Sequence, residues 1–180
     1  MILANAGLPM IALSWPWAYI LIIPIIAIET RATRRFDVSR ARRLRSVSIA
    51  NIISTIIGWP IAWLIMFSFQ MYVIPGGDGT YGLSTPFGVI ASVTLQAALL
   101  MPYEDDLYWM VPSASAFLMV PFFFISVLIE DQVHKFGTPD LDSSQRKKLT
   151  WTANLWSYGF LVSLFLLWLA WSLLMHEPKQ

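Results

Sequence analysis

The side chains able to do chemistry are few: two histidines, one run of acids, one isolated glutamate and a cluster of arginines. The histidines are His134 and His176. Imidazole is the commonest metal and haem ligand, but these two fall in regions that the topology below sets on opposite membrane faces. Both read as solvent-exposed loop residues, and no bis-histidine haem is expected within one chain. No serine stands where it would form an evident nucleophilic pair with either. The chain has no cysteine, which excludes disulfides, thiolate metal sites, Fe–S clusters, c-type haem attachment and cysteine nucleophiles.

Glu104, Asp105 and Asp106 are adjacent, and Asp78 joins them on the outer face. Hard cations favour clustered carboxylate and carbonyl oxygens, so these four are the metal candidates. The spaced acidic ligands of an EF-hand are missing, and the leading reading is a solvated acidic turn. Glu29 ends the first apolar stretch beside Arg31 and is expected in an interfacial ion pair. Acidic residues deep in lipid mark ion pathways. None is expected in the middle of a span, which weighs against a proton pump, a carboxylate ion pathway and a membrane metalloprotease.

Residues 31–45 hold seven arginines. Arg34, Arg35, Arg40, Arg42, Arg43 and Arg45 are candidate contacts for anionic lipid headgroups, each contributing about 1 kcal/mol near a charged surface. An ordinary topology-setting loop is the leading explanation of them, ahead of a specific lipid or partner-protein contact. Ala41, Leu44 and Val47 recur at helical spacing, so the segment is expected to be a basic interfacial helix or an inward extension of the second span. Asn51, Gln70, Gln96 and Asn154 are expected to hydrogen-bond between helices, at about 0.6–2 kcal/mol each.

The elements that must hold these residues are set by apolarity. Of the 180 residues, 57% are hydrophobic and 13% charged, against about 25% charged in soluble domains. A spanning helix needs about 20 apolar residues. Stretches at about 8–28, 47–73, 107–129 and 149–175 meet that length. Segment 86–101 has 16 residues, or about 24 Å of helix, short of a hydrocarbon core of about 30 Å. Pro16 and Pro24 predict a bent first helix or a start after Pro16. Gly58-Trp59-Pro60 predicts a kink in the second.

Lysine and arginine decide between two topologies. If 86–101 spans, there are five crossings, with eight basic residues inside and four outside. If it is re-entrant or interfacial, four crossings put eleven of the 12 inside. The positive-inside tendency favours four spanning helices plus one short membrane segment, with both termini on the non-cytoplasmic side of a bacterial inner membrane. Asp142 with Gln145 reads as a capping start to the last helix. The expected architecture is a single all-α membrane domain over 1–180, and no internal repeat is evident.

Nine tryptophans and 11 phenylalanines fit interfacial belts and broad contact surfaces. Lipid, carotenoid, quinone or chlorophyll would pack against them. Basic residues that fall almost entirely in two segments, 31–45 and 135–148, exclude a nucleic-acid surface. The leading expectation is a non-enzymatic subunit of a larger membrane complex, with respiratory or photosynthetic electron transfer as its setting. A small homo-oligomeric channel or transporter is the alternative, followed by a metal-dependent membrane lipid enzyme acting through Glu104–Asp106.

Overall fold

In the computed structural model, residues 8–73, 85–100 and 104–176 are described. The fold is all-α apart from one two-residue bridge. Helix α1 covers Met10–Ala32, α2 Arg40–Ile53, α3 Trp59–Val73, α4 Pro86–Thr94, α5 Leu107–Gly137 and α6 Ser143–Met175. Strands β1 (Leu8–Pro9) and β2 (Leu99–Leu100) pair antiparallel. Helices α2 and α3 are one 33-residue rod, Arg40–Tyr72. Ser54–Gly58 joins them as a π turn.

Among the described residues, three helices are long and apolar enough to cross a membrane: Arg40–Tyr72, Leu107–Gly137 and Ser143–Met175. Helix α1 adds 23 residues with only Glu29 and Arg31 charged, both in its last turn. It begins at Met10 and runs through Pro16 and Pro24, so the start expected after Pro16 is not where the helix begins. The kink expected at Gly58-Trp59-Pro60 takes the form of the π turn just before it. Proline cannot donate to the carbonyl four residues back, and the wider turn, closed by the Trp59 amide on the Ser54 carbonyl, absorbs that loss. Segment 86–101 yields only the nine residues of α4, about 14 Å, too little to cross a bilayer as a helix.

The chain divides into two compact units. The first comprises residues 1–14, 63–120 and 161–180. Its β bridge is reinforced from the side. The Gln70 amide donates to the Leu99 carbonyl at 2.8 Å and accepts from the Leu99 amide at 3.1 Å. The Trp63 indole donates to the Ala98 carbonyl at 2.8 Å. Gln70 thus does for an irregular backbone what a neighbouring strand would do.

The second unit comprises residues 15–62 and 121–160. It holds two helical hairpins: the end of α1 with α2, and the end of α5 with the start of α6. Thr33–Arg35 forms a 3₁₀ turn in the first. In the second, Asp142 caps α6 by accepting from the Gln145 amide at 2.8 Å. Arg42 pairs with Asp140, and Arg35 donates to Thr152 at 2.9 Å, so both basic segments lie at the same end of this unit. Trp59 stacks on Phe122 with centroids 4.8 Å apart.

Of Ala41, Leu44 and Val47, which recur at helical spacing, only Val47 is buried. Arg43, Ser46, Val47, Ala50 and Asn51 are buried, whereas Leu44 is exposed.

Candidate functional site

The polar core of the second unit is built from two helix ends and the helices that return beside them. Glu29 lies one turn before the end of α1, and Glu130 lies two turns before the end of α5. Asn51 and Ser54, three residues apart, share one face of the α2 rod. Asn154 and Ser157, also three apart, share one face of α6. None of these six residues is more than 5% exposed.

Asn51 Nδ2 donates to Glu29 Oε2 at 2.6 Å and to the Val47 carbonyl at 3.0 Å. Asn154 Nδ2 does the same in the other hairpin, to Glu130 Oε2 at 2.6 Å and to the Thr150 carbonyl at 3.1 Å. Each glutamate is thus held by the asparagine of its own hairpin, 22 residues on in the first and 24 in the second. One serine reaches across. Ser54 Oγ lies 2.7 Å from Glu130 Oε1, and Ser157 lies beside Glu29. The Ser157 hydroxyl, however, is engaged with the Asn154 carbonyl at 3.2 Å.

This reciprocity exposes a repeat that the sequence reading missed. Glu29 and Glu130 are 101 positions apart, and Asp37/Asp140, Arg43/Arg146, Ala50/Ala153, Asn51/Asn154 and Ser54/Ser157 are each 103 apart. The surface clefts repeat as well. Ala27, Thr30, Arg31 and Leu44 line one cleft, and their counterparts Leu128, Asp131, Gln132 and Lys147 line another. The available signal was Ala-Asn-x-x-Ser, present in both α2 and α6. It was hidden by the different turn lengths and by the unlike residues around it.

The donors and acceptors do not balance. Both amide groups donate twice and both hydroxyls are engaged, yet Glu29 Oε1 and Asn154 Oδ1 are buried without a hydrogen-bond partner. Buried carboxylate charge is costly unless compensated, and a surplus of buried oxygen acceptors is what a proton or a hard cation satisfies. Glu29 does not enter the interfacial ion pair expected for it. Its partner is an amide, and it belongs with Glu130 inside the helical core. Both acids lie within one or two turns of a helix end, so neither stands in the middle of its helix.

His134 is also corrected. It lies in α5 rather than a loop and is 0% exposed. Its Nδ1 is 2.7 Å from Ser46 Oγ, a serine–histidine pair that the sequence reading did not find. The Nε2 atom has no hydrogen-bond partner. A catalytic pair needs an orienting group there, so the contact serves as a helix-to-helix lock. Close approach is possible because residue 137 is glycine: a Cβ there would collide with the Ser46 hydroxyl. His176 is exposed and stacks on Tyr108, with centroids 3.6 Å apart.

Asp78 lies outside the described residues. Glu104–Asp106 forms one 3₁₀ turn, and Asp106 accepts from the Trp109 indole at 2.9 Å. Among the described residues, no three histidine or acidic side chains gather for a metal ion. The candidate headgroup arginines separate into three clefts. Arg34, Arg40 and Arg43 share one with Arg31. Arg42 and Arg45 flank Ser46 in a second. Arg35 lines a third with Arg31 and Trp156. No protein family, characterised protein or solved structure matches the chain.

Proposed function

We propose that this protein is a small ion-coupled membrane transporter or channel whose working site is the Glu29–Glu130 pair, which takes up and releases a proton or a hard cation. One observation carries the reading. Two neighbouring buried carboxyl groups sit in a network whose donors are all engaged, while acceptor oxygens on Glu29 and Asn154 are left over. An ionisable residue inside a membrane helix is a functional candidate by default, and here two such residues share one network.

The reading takes α1 as a fourth crossing, with both basic connectors on the cytoplasmic face of a bacterial inner membrane. The shared end of the two connectors, joined by Arg42 and Asp140, supports that arrangement. Flux assays in liposomes test the function, with an internal pH dye and with dyes for sodium, potassium and calcium. The wild-type chain is expected to pass at least one of these ions, and Glu29→Gln together with Glu130→Gln to abolish that flux. A wild-type chain that passes none of them removes the proposal.

A role as accessory subunit of a larger membrane assembly is the second reading. Phe136 is 82% exposed at the charged end of its unit, beside the cleft holding Arg42 and Arg45. With the exposed Ile49 of the same cleft it forms apolar surface on which a partner could rest. Purification in mild detergent should then bring partner chains with it, and a chain that runs alone argues against this role.

A further inference from the structure

At one place where the repeat within the second unit breaks, the break has the form of a missing anion. Arg43 and Arg146 are equivalent, each one turn into the returning helix of its hairpin. Arg146 Nε donates to Asp131 Oδ1 at 3.1 Å. The position equivalent to Asp131 is Thr30. Arg43 is buried, 8% exposed, and its Nη1 contacts the carbonyls of Thr33, Arg34 and Val38 at 3.3–3.5 Å. Its Nε, the atom that meets a carboxylate in the other hairpin, is buried with no hydrogen-bond partner, and so is Thr30 Oγ1.

These two atoms belong to residues that line one cleft of about 340 Å³, together with Arg31, Arg34 and Arg40. The equivalent cleft of the second hairpin contains Asp131 and a single basic residue, Lys147. One hairpin therefore carries its own anion, and the other carries four arginines and an unpartnered guanidinium nitrogen. A buried guanidinium nitrogen without an acceptor is costly, and guanidinium groups match the paired oxygens of a phosphate.

We propose that this cleft is a binding site for a phosphate group, held by Arg43 Nε and the Thr30 hydroxyl at its base and by Arg31, Arg34 and Arg40 around its mouth. The phosphate is either the headgroup of an anionic phospholipid or free phosphate. Lipid reaches the site if the basic end lies at the membrane surface, and free phosphate reaches it from solution.

The experiment uses the full chain. Inorganic phosphate is titrated calorimetrically into protein in neutral detergent. In parallel, nanodiscs of phosphatidylcholine with and without phosphatidylglycerol are compared by native mass spectrometry for retained lipid. Binding of phosphate identifies the free anion, and selective retention of phosphatidylglycerol identifies the lipid. Either result supports the site, and neither occurring overturns it.

Thr30→Asp supplies the missing carboxylate from the chain itself, as Asp131 does in the other half. It is expected to raise the melting temperature in the absence of anion and to abolish binding. Retention of wild-type binding by this variant overturns the proposal. Should Thr30→Asp fold poorly, Arg34→Gln with Arg40→Gln, both exposed, carries the test. Loss of two of the charges around the cleft should weaken binding by at least about tenfold, and unchanged binding overturns the site.

Discussion

Glu29 and Glu130 hold equivalent positions, but their oxygens are used differently, and substitution should reveal it. Both oxygens of Glu130 accept, from Ser54 and from Asn154. Glutamine there replaces one accepting oxygen with a donor, which the Ser54 hydroxyl can accept only by turning its own proton fully to the Asn51 carbonyl at 3.2 Å. Exchanging the 2.7 Å hydrogen bond to a carboxyl oxygen for this weaker pairing should cost about 1 kcal/mol, so Glu130→Gln should lower the melting temperature measured by circular dichroism in detergent. Glutamine at position 29 brings donors to a region with surplus acceptors. Glu29→Gln should therefore match or exceed wild-type stability. Equal destabilisation by both variants would remove the asymmetry assigned to the network. Gly137→Ala makes a separate test at this scale. Its methyl group meets the Ser46 hydroxyl, and overpacking of this kind costs about 1–3 kcal/mol. The same thermal melts should show that loss, whereas Gly159→Ala, with open space around the added methyl, should be close to neutral.

At the scale of elements, helix existence and turn chemistry were legible in the sequence. The cap at Asp142, the inward extension of the second span and the irregularity before Pro60 all follow from local rules that hold in any solvent. What could not be read was which face of each helix points inward. In water, apolar periodicity marks the buried face, and on α2 that rule would point to Ala41, Leu44 and Val47. In lipid the hydrocarbon takes the apolar side chains, and small and polar residues go inside. Leu44 is exposed while Arg43, Ser46 and Asn51 are buried. Read that way, Arg43, Ser46, Ala50, Asn51 and Ser54 trace an interior stripe, and Ala153, Asn154 and Ser157 its copy. The site was missed for the same reason: Glu29 was assigned by its neighbours in sequence, and its partners are on other helices. The cap can be tested directly. Asp142→Ala frees the Gln145 amide and should cost about 1 kcal/mol, with faster hydrogen exchange in the first turn of α6.

For the molecule as a whole, the absence of cysteine makes single-site labelling straightforward. Arg40→Cys and Ser144→Cys, placed in the two basic segments, should react with a membrane-impermeant maleimide from the same side, in right-side-out vesicles only after permeabilisation. Reaction of one from each face would contradict the joining of the segments through Arg42 and Asp140.

The crossing of Ser54 also bears on motion. The Ser54–Glu130 contact ties a residue of one hairpin to a carboxyl of the other. A one-turn slip of one hairpin past its neighbour, about 5.4 Å, would break that hydrogen bond and leave the carboxyl oxygen without its donor. The pair therefore acts as a detent, tolerating small tilts and resisting sliding. Any conformational cycle built on this unit would have to proceed by rocking the two hairpins around the glutamates.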